Sequence, residues 1–117
     1  MNTQQAREIW IQALRSGKYK QGRLVLHNVL NDSYCCLGVA CALFAEQLNL
    51  TTTHTEFSIS YNDYLSLAPD DVVELLQLVD RSGSNKKNSN SLAALNDSGK
   101  YSFDQIADEL ETGRYWA

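Results

Sequence analysis

The sequence predicts one α+β domain, residues 1–117, in which a small β-hairpin or sheet packs against about four α-helices. Three observations support this prediction. Apolar residues recur at helical spacing near both ends of the chain. Residues 23–29 suit a strand and are followed by the turn residues Asn31, Asp32 and Ser33, which predicts a hairpin. A chain of 117 residues is long enough to bury the core of a single domain without metals or disulfides.

The N-terminal half is expected to contain two helices on either side of that hairpin. Thr3 can cap the first helix, and Ser16-Gly17 can end it before a polar connector at residues 18–22. The second helix covers residues 37–48 and follows the strand residues Tyr34-Cys35-Cys36. The apolar stripe predicted for the first helix consists of Ala6, Ile9, Trp10, Ala13 and Leu14.

The C-terminal half is expected to contain two further helices and a helical turn. Residues 49–66 allow at most one short edge strand, near residues 56–60. Pro69 is predicted at the first position of a third helix, residues 92–95 form a turn of helix, and Ser102 with Gln105 can form a capping box for the last helix. The buried face of that last helix is predicted to be Phe103, Ile106, Ala107 and Leu110.

Two segments of this half are predicted from composition. Residues 81–91 are polar and of low complexity, which predicts a mobile loop. The tail Tyr115-Trp116-Ala117 is aromatic, and it either folds back onto the core or contacts a partner.

Charge and composition narrow the functional classes. Ten basic and 14 acidic residues give a net charge of −4, which argues against a general nucleic-acid binder. The first residues lack the pattern of a signal peptide, and the longest apolar run is too short to cross a bilayer. Three cysteines, two of them adjacent, do not make a disulfide framework and fit a reducing cytoplasm.

The adjacent thiols Cys35 and Cys36 are the most informative feature for chemistry. At a helix start, the free backbone N–H groups and the helix dipole would favour a thiolate or a bound anion. A cysteine hydrolase or transferase would take one of these thiols as nucleophile and His54 or His27 as base. The alternative interpretation is that both thiols are small core residues, which is the commoner case. No spacing typical of a metal site, a dinucleotide fold or a P-loop is present, so no cofactor is predicted.

Three segments together resemble a family of small, mostly uncharacterised proteins found in bacteriophages and bacterial genomes. They are Trp10-Ile11-Gln12-Ala13-Leu14-Arg15-Ser16-Gly17-Lys18-Tyr19-Lys20-Gln21, Tyr34-Cys35-Cys36-Leu37-Gly38-Val39-Ala40-Cys41, and Leu95-Asn96-Asp97-Ser98-Gly99 with the Phe103, Ile106 and Ala107 positions after it. The family usually has an acidic residue one step after the third cysteine, where this chain has Ala42. The resemblance implies a phage accessory protein, a class that often binds a host protein or a signalling molecule.

The leading hypothesis is therefore a cytoplasmic phage-type protein that binds a host protein and inhibits or redirects it without turnover. The alternatives are a binder of an anionic small molecule such as a nucleotide signal, or a cysteine enzyme. In the small-molecule alternative, Lys18, Tyr19, Lys20 and Gln21 would form an anion cradle with backbone N–H groups beside Cys36 and Leu37.

The predicted contact residues come from three parts of the chain. Residues 18–21 have no evident role in the core, and the polar turn at residues 96–99 is expected to lie beside them and beside Cys35-Cys36. The candidate partner- or ligand-binding residues are Lys18, Tyr19, Lys20, Gln21, Cys35, Cys36, Asn96, Asp97, Tyr115 and Trp116.

Overall fold

Five helices and five short strands are present in the computed structural model, which describes all residues from Met1 to Ala117. The helices are α1 Thr3–Arg15, α2 Cys36–Phe44, α3 Asp70–Leu76, α4 Leu92–Asp97 and α5 Phe103–Glu111. The strands are β1 Lys20–Gln21, β2 His27–Asn28, β3 Ser33–Tyr34, β4 Thr52–His54 and β5 Ser58–Tyr61. The α+β class is confirmed, and the predicted turn at residues 92–95 is a fifth helix.

The sheet is mixed, with strand order β1-β3-β2-β5-β4. β1 runs parallel to β3, and the other neighbours are antiparallel. The predicted hairpin is formed by β2 and β3, with His27 opposite Tyr34. One core of 24 buried apolar residues takes in all five helices and, from the sheet, Tyr61 of β5.

Helix α1 begins one residue earlier than predicted. Asn2, rather than Thr3, is the capping residue, and it forms a reciprocal capping box with Gln5. Ala6, Trp10 and Leu14 are buried as predicted, whereas Ile9 is exposed. The apolar stripe of α1 is therefore wider than the buried face of the helix.

The strand predicted at residues 23–29 is mostly loop. Leu24 has a positive φ of 74° and an exposed side chain, and its N–H binds the Asp97 carboxylate at 2.9 Å. Only Leu26 of this apolar run is fully buried. The strand pattern of this apolar run is therefore interrupted at Leu24, whose backbone bonds to a distant residue instead of to a neighbouring strand.

The prediction of a single edge strand within residues 49–66 is wrong. This segment forms a second hairpin of β4 and β5, and β5 lies inside the sheet between β2 and β4. Its three- and four-residue strands are too short to show an alternating pattern.

The remaining predicted elements largely keep their places. Pro69 is the N-cap of α3, which ends at Gln77 in the left-handed conformation with φ 53°, so Val79 lies outside the helix and is exposed. The Ser102–Gln105 capping box and all four buried residues of α5 are confirmed.

The polar segment 81–91 is tied down at its start, because the Asp80 carboxylate accepts hydrogen bonds from Ser82 and Ser84, and Asn85 is buried. The mobility of that segment stays a prediction.

No helix of the structure is both long and apolar enough to span a bilayer.

Candidate functional site

The side chain of Asn96 joins the three segments that carry the family resemblance. Its Oδ1 accepts hydrogen bonds from the Cys36 backbone N–H and the Gln21 Nε2, both at 3.1 Å. Its Nδ2 donates to the carbonyl oxygen of Gly22 at 2.8 Å and to the Asp97 carboxylate at 3.2 Å. The predicted proximity of residues 18–21, residues 96–99 and the cysteine pair is confirmed.

The bond from Cys36 to Asn96 is explained by the start of α2, where backbone N–H groups need partners from outside the helix. Cys35 is the N-cap residue, and its side chain makes no capping bond. The first N–H groups of a helix have no partner within the helix, so Asn96 supplies one for Cys36 from a distant part of the chain. Trp10 completes the arrangement, because its Nε1 donates to the carbonyl oxygen of Cys36 at 3.0 Å. We call Trp10, Gln21, Cys36 and Asn96 the Asn96 network.

The Asn96 network is part of the interior. Asn96 is buried and both ends of its carboxamide are bonded within the protein. Gly38 shows how closely α2 is packed, because a Cβ at this position would overlap the carbonyl oxygen of Leu26. The Cys36 N–H, predicted to face an anion, is already bonded to Asn96 and therefore contributes nothing to an anion cradle.

All three thiols are buried and free. Desolvation raises the pKa of Cys35 to about 11, and it raises the pKa of Cys36 and of Cys41 well above the ordinary value for a thiol. The Cys36 thiol lies 3.7 Å from the carbonyl oxygen of Leu92, an acceptor that suits the protonated form. The interpretation of both thiols as small core residues is thus confirmed, and the exposed, low-pKa thiol that a cysteine enzyme would need is contradicted, because the effect of burial on the pKa outweighs that of the helix start.

The two histidines do not bond to these thiols. His27 stacks on the Tyr34 ring and bonds through Nε2 to the Asp32 carboxylate at 2.8 Å, while its buried Nδ1 has no partner. His54 is exposed on the edge strand β4. The nucleophile and base required for a cysteine enzyme are therefore not assembled in this structure.

The connector does contribute to the core, contrary to the prediction. Tyr19 is half-buried and packs edge-on against Tyr34, with ring centroids 5.3 Å apart. Lys18 and Lys20 are exposed. The Tyr19 side chain also lines an open groove of about 420 Å³ beside α1, which we call the α1 groove, with Ile9, Ala13 and Leu43 as its other apolar residues.

The aromatic tail folds back onto the core. Tyr115 is 1% exposed and donates a hydrogen bond from its hydroxyl group to Glu109 at 3.0 Å. Trp116 is half-buried between the Trp10 ring, 6.3 Å away, and the Arg7 guanidinium, 4.2 Å from its centroid. Tyr115 therefore offers no surface to a partner, and Trp116 offers only part of its ring.

Sequence reasoning missed an exposed apolar surface at the tips of the two hairpins. The turns that follow β2 and precede β5 lie side by side, because the N–H of Val29 donates to the carbonyl oxygen of Phe57 at 2.9 Å. Leu30 is 70% exposed, Phe57 61% and Val29 41%. We call these three residues the hairpin-tip patch. Their adjacency depends on the pairing of β2 with β5, which local patterns do not reveal.

A charge signal that accompanies this patch was readable in the sequence. Residues 24–80 contain no lysine or arginine. Their acidic residues are Asp32, Glu46, Glu56, Asp63, Asp70, Asp71, Glu74 and Asp80. Asp32 and Glu56 stand on the same two turns as the hairpin-tip patch, so the patch has acidic neighbours and no basic residue in its own segment.

The fold and its surfaces define a small α+β domain whose three motif segments meet around one buried asparagine. The chain belongs to the family described as Domain of unknown function (DUF8296), whose model matches residues 1–114. No curated protein and no solved structure matches it. The family is thus an uncharacterised one, as the resemblance implied.

Proposed function

We propose that the protein is a phage-type accessory protein that binds a host protein in the cytoplasm, without turnover, and so inhibits or redirects it. The observation that carries this proposal is the hairpin-tip patch. Three large apolar side chains are exposed on two adjacent turns, and a cluster of exposed apolar residues is a feature of protein–protein contact sites. An aromatic residue at the centre of such a patch is a frequent source of binding energy.

Charge indicates what kind of partner the patch accepts. The patch lies in a segment with eight acidic residues and no lysine or arginine, so it complements a basic surface with an apolar pocket. A host site that normally takes an anionic substrate or a nucleic acid has this character. Asp32 and Glu56 would then form the polar rim around Leu30 and Phe57.

The buried thiols support binding rather than catalysis. Desolvation raises the pKa of Cys35 to about 11, so the nucleophilic thiolate is scarce at neutral pH. Binding through the hairpin tips makes no demand on these groups.

The test is affinity capture from a lysate of the native host cell with immobilised protein. We expect one host protein to be retained by the wild type and lost with the Leu30→Ser, Phe57→Ser double variant. Retention should weaken as salt is raised, because charge complementarity between exposed groups is screened.

Two matched variants make this test specific. Ile9→Gln alters the α1 groove and Val79→Gln alters neither surface, and these two side chains are equally exposed, at 40% and 41%. Both should retain the host protein. Loss with Ile9→Gln alone would place the partner site at the α1 groove and overturn the hairpin-tip assignment. Capture of the same host protein by the Leu30→Ser, Phe57→Ser double variant would also overturn that assignment.

A further inference from the structure

A second open cavity lies beside the Asn96 network, between the connector and the turn that joins α4 to α5. Its volume is about 360 Å³. Its lining is almost wholly polar and consists of Gln21, Arg23, Asn96, Gly99, Lys100, Tyr101, Ser102 and Gln105. We call it the polar cleft.

The polar cleft is positive in a protein that is negative overall. None of the 14 acidic residues lines it, whereas Arg23 and Lys100 both do. Neither cation takes part in an ion pair, unlike Arg15 and Arg81, which are bonded to carboxylates. Asp97 is nearby but does not line the cleft, and its Oδ1 accepts hydrogen bonds from the N–H of Leu24 and the Asn96 amide. The cleft therefore has two cations and no carboxylate among its lining residues.

The uncharged groups of the cleft add hydrogen-bond donors. Gln105 accepts the N–H of Ser102 through Oε1, so its Nε2 is left to donate to a ligand. The Ser102 Oγ accepts the N–H of Gln105, so its hydroxyl hydrogen is also left to donate. Both residues stand at the N-terminus of the nine-residue helix α5, where the helix dipole favours negative charge.

The Arg23 guanidinium lies against Gly99. Gly99 has a positive φ of 75°, and a Cβ at this position would overlap the guanidinium. Arg23 itself is exposed, so its guanidinium is free to turn towards a ligand in the cleft. A planar guanidinium suits an oxyanion that accepts two hydrogen bonds.

We propose that the polar cleft binds the phosphate group of a small phosphorylated molecule, with Arg23, Lys100, Ser102 and Gln105 as its donors. Liquid water takes about 30 Å³ per molecule, so the open cleft holds a phosphate with room for part of an attached group. The ligand is thus a compact phosphate ester rather than free phosphate. This site is separate from the hairpin-tip patch, and its test does not depend on a host protein.

The experiment is a titration followed by ¹H–¹⁵N NMR at constant ionic strength. The probes are ribose 5-phosphate, inorganic phosphate and unphosphorylated ribose. We expect ribose 5-phosphate to shift the amide signals of Gly99, Lys100 and Ser102 in a saturable way, inorganic phosphate to bind more weakly, and ribose not to bind. Equal affinity for the two phosphates would overturn the ester assignment, and no saturable shift with either would overturn the site.

Gln105→Glu is the informative variant, because glutamate can keep the capping box while placing a carboxylate in the cleft. It should weaken ribose 5-phosphate binding at least tenfold. Gln5→Glu makes the same change in the capping box of α1, outside the cleft, and should leave the affinity unchanged. Unchanged binding by a folded Gln105→Glu variant would overturn the proposal.

Removal of the two cations gives an independent check. The Arg23→Gln, Lys100→Gln double variant should also lose saturable binding, while Lys86→Gln, Lys87→Gln, which removes two exposed lysines elsewhere, should retain it. The dispersion of the NMR spectrum reports whether each variant is folded. Equal loss in both double variants would indicate a nonspecific charge effect and contradict the site.

Discussion

The Asn96 network and the hairpin-tip patch differ in which groups they bury and which they expose: the network buries polar groups, and the patch exposes apolar ones. In the network, a buried polar side chain has every bond satisfied within the protein. In the patch, three apolar side chains are exposed to water on turns with acidic neighbours. A satisfied interior group stabilises one arrangement of the chain, whereas an exposed apolar group contributes little until something covers it.

This difference separates residues that hold the fold from residues that are free to bind. The cysteine pair, which is the most conspicuous chemical feature of the sequence, falls on the structural side. The hairpin tips, which have no motif, are the proposed binding side. Substitutions in the network should therefore change the free energy of unfolding, and those in the patch should change binding alone.

The largest effect is expected for Asn96→Ala. It leaves the N–H of Cys36 and the carbonyl of Gly22 without their partner, whereas the Gln21 Nε2 keeps its bond to the carbonyl oxygen of Tyr101. Because each buried group left unsatisfied costs about 1–3 kcal/mol, we expect a loss of about 3 kcal/mol or more in urea denaturation. Asn88→Ala, in an exposed loop, is the control and should change stability by less than about 0.5 kcal/mol. Similar values for the two variants would contradict the structural role of Asn96.

A smaller loss is expected for Trp10→Phe. The change removes the donor to the Cys36 carbonyl and leaves a gap in a fully buried site. We expect about 2 kcal/mol, from one lost buried bond and a smaller side chain. Trp116→Phe is the matched control, since Trp116 is half-buried and makes no side-chain hydrogen bond. Its cost should be smaller, and a reversed order would show that the tail matters more than the network.

Alkaline pH should weaken the fold through the buried thiols. The pKa of Cys35 is raised by burial to about 11, against about 8.5 for an unfolded thiol. A raised pKa in the folded state means that the stabilisation is complete below the unfolded value and is lost as pH rises towards the folded one. Between pH 7.5 and 9.5 we expect a loss of roughly 1 kcal/mol from this group.

Urea denaturation across that range tests the alkaline loss, with Cys35→Ala as the control that should show less of it. Thiol labelling of the native protein should be slow at every pH in the range and should follow unfolding. Rapid labelling of Cys35 or Cys36 in the folded protein would show that the thiols are accessible.

The smallest effect on stability is expected at the hairpin tips. Phe57→Ser alters a side chain that is mostly exposed, so the free energy of unfolding should change by less than about 0.5 kcal/mol. Capture of the host protein should nevertheless fall sharply, because an aromatic anchor can contribute about 2 kcal/mol or more to binding. A large loss of stability with capture intact would reverse the assignment of roles.

Residues close together in sequence made much of this protein predictable. Ser102 and Gln105 predicted the start of α5, and Phe103, Ile106, Ala107 and Leu110 predicted its buried face. The capping bonds and the 3.6-residue repeat act within one or two turns, so they can be recognised without the rest of the chain. The proximity of residues 18–21 and 96–99 was predicted from the family motifs rather than from local physics.

The strands were the least predictable elements. β2 and β3 have two residues each, and their hydrogen bonds come from neighbouring strands rather than from their own sequence. Val25 has high β propensity, yet it follows Leu24, which has a positive φ of 74° and donates its N–H to the distant Asp97 carboxylate. The propensity of a strand residue depends strongly on such context.

The sequence by itself determined the α+β class, the faces and caps of most helices, and the acidic balance, because each depends on local spacing or on composition. Only the tertiary structure decided which polar groups pair. Gln21 and Asn96 are 75 residues apart, and Cys36 and Asn96 are 60 apart, yet their bonds close the interior around the thiols. Burial then raised the pKa of those thiols, and the pairing of two hairpins placed Val29 beside Phe57 at the surface, since neither burial nor strand order is encoded in any short segment.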